Sequence, residues 1–175
     1  MMKLLFTLKS TDVSQTAKKL NYKTYKSRKA ARAIIYDGSR IALIHVSAHK
    51  YYMLPGGGID DNSIKQGLKR EVREELGAEV EIKDEIGKAI LYFDRWATKQ
   101  TDYCYIVKLI SMSSINNISA FEKEEGHEIF WADDIEHAIR VVKSSNPSGD
   151  DGKIVRMRDL LFLQEAKKTH KLYAG

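Results

Sequence analysis

Three glutamates, Glu71, Glu74 and Glu75, fall three and four residues apart within Arg70-Glu71-Val72-Arg73-Glu74-Glu75-Leu76-Gly77. On a helix those spacings put the side chains on one edge, so three carboxylates become neighbours. Carboxylate oxygens are the ligands that hard divalent cations prefer, and such an ion polarises phosphoryl oxygens and lowers the pKa of a bound water. Magnesium is the leading candidate. Just upstream, Leu54-Pro55-Gly56-Gly57-Gly58-Ile59-Asp60-Asp61 forms a glycine-rich turn that opens backbone groups towards the same region. Like charges at helical spacing cost only roughly 0.2–0.5 kcal/mol per pair, so a solvated acidic face partly neutralised by Arg70 and Arg73 is the plain alternative. The adjoining turn argues against that alternative. Arg70, four residues before Glu74, is placed to hold that carboxylate from the side and fix its rotamer.

The elements that must position these groups follow from hydrophobic period. Ser63 through Leu76 reads as a helix, with Ser63 as cap, Gln66 in the capping-box position, Ile64, Leu68, Val72 and Leu76 as an apolar stripe, and Gly77 as its stop. Ala31–Tyr36 and Arg40–Val46, joined through Asp37-Gly38, read as a β-hairpin, and Tyr51–Leu54 as a third strand ended by Pro55. Residues 1–10 read as an edge strand and Asp12–Leu20 as a short helix capped by Asp12. Ala78–Ile82, Gly87–Phe93 and Tyr103–Ile110 read as further strands, the last two separated by a polar loop from Asp94 to Asp102. Glu128–Trp131 makes a short strand with Trp131 in the core, and Asp133 or Asp134 caps a helix to about Lys143. After the loop Ser144–Gly152, Ile154–Lys168 reads as a closing helix. The pattern predicts a mixed α/β sandwich without internal repeats, with residues 1–28 as an N-terminal extension packed on a domain of residues 29–175.

Composition narrows the setting. A chain of 175 residues, 43% hydrophobic and 30% charged, is of single-domain length and suits a folded globular protein. No stretch reaches the ~18 apolar residues of a membrane span, and the N-terminal run Met1–Lys9 is too short in apolar residues for a signal peptide. The only cysteine, Cys104, excludes an intrachain disulfide and fits a reducing, cytoplasmic compartment; among Tyr103, Tyr105 and Ile106 it reads as a buried strand thiol. The net charge of +5 is uneven. Lys18, Lys19, Lys23, Lys26, Arg28, Lys29 and Arg32 crowd one segment and Lys167, Lys168 and Lys171 another, which favours anionic partners or simply a solvated basic surface.

Taken together, the glycine turn and the carboxylate helix resemble the signature of Nudix hydrolases. The family's box is a glycine, five residues, a glutamate, seven residues, then Arg-Glu-apolar-x-Glu-Glu-x-Gly-apolar, and Arg70 to Ala78 matches its second half. The first half departs from it: counting back from Arg70 puts Asn62 where the upstream glutamate is expected and Gly56 at the opening glycine. Anchored on Pro55-Gly56-Gly57 instead, the loop is one residue short, with Asp60 or Asp61 as substitutes. The hairpin before the box and the Glu-Ile-Phe-Trp strand followed by an acidic helix start extend the resemblance over about residues 30–143.

The resemblance implies an α/β/α sandwich with a mixed sheet that hydrolyses a pyrophosphate bond in a nucleoside diphosphate derivative by metal-activated water. It implies Mg²⁺, with Mn²⁺ as the alternative, on Glu74 and Glu75, with Glu71 as a further ligand or base and the Gly56 carbonyl as another ligand. The general base is expected from Lys123-Glu124-Glu125-Gly126, with Glu125 preferred over His127 and His45. Arg32, Lys29 and Tyr51 are the expected substrate contacts, with Tyr52, Phe93 or Trp96 able to stack on a base. A Nudix-fold binding module that has lost turnover, suggested by Asn62, is the alternative. An RNA-binding protein is a third reading, suggested by the basic segment. Oligomeric state is left open, a dimer being compatible.

Overall fold

The structure is a computed structural model that describes residues 1–14, 21–60, 62–113 and 117–169. Alternation along two strands shows how the layers assemble. In β2 (Lys26–Asp37) and β3 (Arg40–Val46), Ile34, Tyr36, Ile41 and Leu43 enter one core, whereas Ala33, Ile35, Ala42 and Ile44 enter another. Side chains two apart share a face of a strand, so a sheet that buries both sets must be covered on both sides. Helix α2 (Ile64–Leu76) covers one face through Leu68, Val72 and Leu76. On the other face α4 (Ile135–Ser144) contributes Ala138 and Val142, and α5 (Asp150–Thr169) contributes Ile154, Phe162, Leu163 and Ala166. Each fully buried large apolar side chain contributes about 1.5–3 kcal/mol. The result is the expected α/β/α sandwich.

Among the described residues, seven strands form one mixed sheet. Along it run β1 (Leu4–Leu8), β5 (Ala78–Phe93), β6 (Thr98–Met112), β2, β3 and β4 (Tyr51–Met53), while β7 (His127–Ala132) also pairs with β3. The β1–β5 and β2–β6 pairs are parallel and the others antiparallel. The edge strand expected near the N-terminus is thus present, and the boundary after residue 28 falls inside β2. Cys104 is fully buried in β6, and burial pushes its thiol well up. Trp131 is partly buried against the α2-side core, with the Arg40 guanidinium 5.0 Å from its ring centroid.

Helix α2 begins and ends where its capping residues require: Ser63 Oγ accepts from the Gln66 N–H at 3.4 Å, and Gly77 closes it in the left-handed region. Three local expectations are corrected. Ala78–Ile82 and Gly87–Phe93 are one strand, because bulges between Ile82 and Asp84 and between Glu85 and Gly87 absorb the break in period while pairing with β6 continues. The polar loop Asp94–Asp102 shrinks to a single turn, Asp94–Trp96 with Ala97 at φ 44°, after which β6 resumes at Thr98. Near the N-terminus, α1 (Ser10–Val13) starts before Asp12, whose carboxylate accepts from the Lys9 N–H at 2.8 Å from the third helical position. The rest of the helix expected to Leu20 lies outside the described residues, as do Lys18, Lys19, Lys171 and Asp61. Among the described residues, no helix is long and apolar enough to cross a membrane.

Candidate active site

The glycine turn packs its backbone directly against β2 and α2. The Ala31 N–H donates to the Gly57 carbonyl at 3.0 Å and the Ala33 N–H to the Pro55 carbonyl at 2.9 Å, which lays residues 55–57 along β2. Gly56 sits at φ 126°, and a Cβ there would overlap the Ala31 carbonyl oxygen. A Cβ on Gly57 would overlap the Glu71 carboxylate. Glycine is required at Gly56 by its backbone angle and by close approach to backbone, whereas at Gly57 the Glu71 side chain would have to move. Gly56→Ala is therefore expected to destabilise the protein by about 1–3 kcal/mol, since the turn must move to relieve both the clash and the backbone angle. An unchanged thermal midpoint would contradict this packing.

This close approach fixes one glutamate in place. The Gly56 N–H donates to Glu75 Oε2 at 2.7 Å, and Glu75 is only 4% exposed. Burial pushes its carboxyl up to about 8, opposed by the Gly56 N–H and the nearby Arg32 guanidinium, while Glu122 and Glu71 add to the rise. A carboxylate in such a setting gains most from a nearby positive charge. Glu71 and Glu74 stand beside the cleft rather than in its lining, bridged by Arg70 Nη1 at 2.7 and 3.1 Å. Arg70 thus touches both carboxylates. Burial raises the Glu71 carboxyl, with Arg70 acting against it.

Glu75 opens onto a cleft of about 1130 Å³. Across it, α3 (Ala120–Glu124) and the start of β7 bring up Glu122, Glu125 and His127. Ligand atoms of Glu75, Glu122 and His127 lie within 4.8 Å of one another. Among the described residues this is the gathered group of acidic and histidine ligands, and Glu71 and Glu74 are not in it. The donor set of carboxylates and an imidazole fits a divalent cation. Glu125 caps α3 and lies between two imidazoles, His49 Nε2 at 3.0 Å and His127 Nε2 at 3.3 Å. His45 points elsewhere and stacks on Tyr52, ring centroids 4.5 Å apart.

The expected substrate contacts divide. Arg32 and Tyr51 line the cleft, as do Phe93, Trp96 and Arg28; Lys29 is exposed and does not. Trp96 is 62% exposed and is held by its indole N–H donating to Asp151 at 3.0 Å. Phe121, 66% exposed on α3, lines the same cleft. Asn62, at the position of the missing box glutamate, is exposed, and Asp60 is exposed beside it. The Gly56 carbonyl is occupied by the Arg32 guanidinium, which puts a positive charge where a ligated cation was expected.

A buried ionic chain links this site to the far face of the sheet. Arg32 Nε donates to Asp102 Oδ1 at 3.2 Å, and Arg158 Nη1 on α5 lies 3.5 Å from the same oxygen. Gln100 donates to Asp102 Oδ2 at 2.8 Å. Arg158 is fully buried and bound twice to Asp159, at 2.7 and 3.0 Å, and Asp159 accepts from the Leu54 N–H at 2.9 Å. The chain runs from α5 through Asp102 and Arg32 to Gly56, whose N–H holds Glu75.

Sequence reasoning did not single out Glu122, Asp102 or Arg158. Glu122 carried one readable signal: Ser119-x-x-Glu122 is a capping box, with Glu122 Oε2 accepting from the Ser119 N–H at 2.6 Å. Asp102 and Arg158 lie 56 residues apart in sequence and met no motif.

A family model described as NUDIX domain matches residues 26–146. Among curated protein sequences, none matches the chain. The solution structure of the E. coli ORF135 protein is similar at TM-score 0.59 and 17% identity, covering 86% of this chain and 97% of that one. The MutT protein of Methanosarcina mazei Go1 is similar at TM-score 0.58 and 17% identity, covering 85% and 99%. An ADP-ribose pyrophosphatase of Streptococcus suis aligns at TM-score 0.50 and 24% identity over 83% and 96%.

Proposed function

The chain belongs to the NUDIX family, and from that premise we propose that it hydrolyses the pyrophosphate bond of a nucleoside diphosphate derivative with a divalent cation, Mg²⁺ or Mn²⁺. The observation that carries this reading is the juxtaposition, in one cleft, of the buried Glu75 carboxylate and the basic side chains of Arg28 and Arg32. Carboxylates alone would repel a pyrophosphate and arginines alone would only bind it. A divalent cation, when bound, neutralises phosphoryl oxygens and lowers the pKa of a water. Glu75 would hold it from the α2 side, with Glu71 and Glu74, positioned by Arg70, adding negative charge from outside the gathered ligand group. Gly56 serves by orienting Glu75, its own carbonyl being taken up by Arg32.

Arg32 and Arg28 bind phosphate oxygens, Arg32 with its guanidinium already oriented by Asp102. Tyr51 lines the wall between them and α5. Trp96 and Phe93 offer ring faces for a base. Glu125, held between two imidazoles, accepts the proton of the attacking water. Glu125→Gln is then expected to lower kcat roughly 10²-fold with little change in KM, the lower end for a general base. Equal loss in kcat/KM through KM alone would assign Glu125 to binding instead.

The similarity to an ADP-ribose pyrophosphatase agrees with a nucleoside diphosphate derivative as the substrate class. The reading is tested by incubating the protein with a panel of such compounds and Mg²⁺ or Mn²⁺. Release of nucleoside monophosphate that stops on chelation supports it; no release from any member leaves a binding module, the reading that exposed Asn62 favours.

A further inference from the structure

The wall of the cleft opposite α2 carries a feature that the carboxylate helix does not explain. The His127 side chain is 7% exposed, and its Nδ1 is buried without a hydrogen-bond partner among the described residues. Its other nitrogen faces Glu125 at 3.3 Å. A buried imidazole nitrogen left unpaired costs about 1–3 kcal/mol, so such a group ordinarily answers to a ligand, an ion or water. Beside it, Glu122 and Glu75 bring carboxylate oxygens within 4.8 Å of the imidazole and of each other. Two carboxylates this close repel unless a cation or a shared proton lies between them.

We propose that Glu75, Glu122 and His127 form a mixed oxygen and nitrogen cation site that selects Mn²⁺ over Mg²⁺. The inference deepens the proposed function by naming the ligand set opposite α2, and rests on the reading that Glu75 holds a cation. Mg²⁺ takes oxygen ligands and keeps much of its water, whereas Mn²⁺, the first ion of the transition series, gives up water and accepts an imidazole more readily. Each residue is held for the task by a different element. Gly56 N–H fixes Glu75. The capping bond from the Ser119 N–H to one Glu122 oxygen leaves the other free to ligate. Glu125 on Nε2 orients the imidazole, a carboxylate–histidine arrangement common at metal sites. With three protein ligands, positions remain for water and a phosphate oxygen.

Mn²⁺ is the probe because it is both a candidate ion and paramagnetic. Electron paramagnetic resonance of the full chain titrated with Mn²⁺, without substrate, gives affinity, and pulsed measurement detects ¹⁴N coupling from a ligated imidazole. The expected result is one tightly bound Mn²⁺ with ¹⁴N coupling, and Mg²⁺ displacing it only at tenfold or greater excess. His127→Gln should abolish the coupling and weaken Mn²⁺ at least tenfold; Glu122→Gln, on a short surface helix, should weaken it while the coupling persists. Bound Mn²⁺ without ¹⁴N coupling, unaltered affinity in both variants, or no bound Mn²⁺, as a cluster that shares only a proton would give, overturns the proposal. Hydrolysis of the nucleotide panel alongside uncoupled Mn²⁺ would sink this ligand set and leave the proposed function standing. Coupled Mn²⁺ with no hydrolysis would do the reverse.

Discussion

Glu75→Gln is expected to lower turnover by about 10³-fold or more while leaving the protein folded. The amide oxygen still accepts from the Gly56 N–H, so the 2.7 Å contact survives in kind. What disappears is the negative charge, buried where its interaction with a cation is little screened. Metal ions contribute several kcal/mol of transition-state stabilisation, and each 1.36 kcal/mol is tenfold in rate. Loss should appear in kcat and in divalent-cation affinity together. The substitution should also raise stability at high pH. With its folded carboxyl at about 8 and the ordinary value at 4.5, Glu75 contributes stability that is complete below about 4.5 and lost as pH rises through about 8. Glutamine does not ionise and so removes that loss. Urea unfolding of the metal-free protein at pH 6 and pH 9 measures it; equal alkaline loss in both proteins would place Glu75 outside the cause.

Asp102→Ala is expected to cost roughly 3–5 kcal/mol, because it leaves the buried Arg158 and the partly buried Arg32 facing each other without their shared carboxylate. Asp102 is fully buried and Arg158 beside it equally so. Burial alone would raise the Asp102 carboxyl, yet Arg158, Arg32 and the Gln100 amide hold it below the ordinary value of 3.8. Its contribution is present above pH 3.8 and lost as pH falls through the folded value. Acid unfolding of Asp102→Asn should accordingly begin from a lower stability and fall less steeply than that of the parent. Because Arg32 also holds the Gly56 carbonyl, the alanine variant should lose activity beyond what its folded fraction explains. A fully active, equally stable variant would show that the chain from α5 to Glu75 transmits nothing.

Much of this was legible because local rules and tertiary packing agree. Ile64, Leu68, Val72 and Leu76 announced α2 and its buried face, and Ser63 and Gly77 marked its ends. The glycine turn and Arg70 were readable from spacing, as was Cys104 as a buried thiol. Strand β5 was not, since its bulges interrupt the alternation that marks a strand, and only pairing with β6 shows it as continuous. The carboxylate edge was legible as a cluster but not in its division of labour. Helical spacing makes Glu71, Glu74 and Glu75 neighbours; the approach of Gly56 and the reach of Arg70 then separate the buried Glu75 from the other two. Glu122 and Asp102 escaped because their partners come from distant strands and helices. A capping glutamate and a strand aspartate have ordinary local explanations.

The most direct test is hydrolysis in ¹⁸O-water. A nucleoside diphosphate derivative incubated with the protein and Mg²⁺ or Mn²⁺ should yield two phosphate-bearing products, one of them carrying a single ¹⁸O on phosphorus, with no product after chelation and at least 10³-fold less from Glu75→Gln. Absence of cleavage, or cleavage that leaves every phosphate unlabelled, would contradict water attack at a metal-bound pyrophosphate.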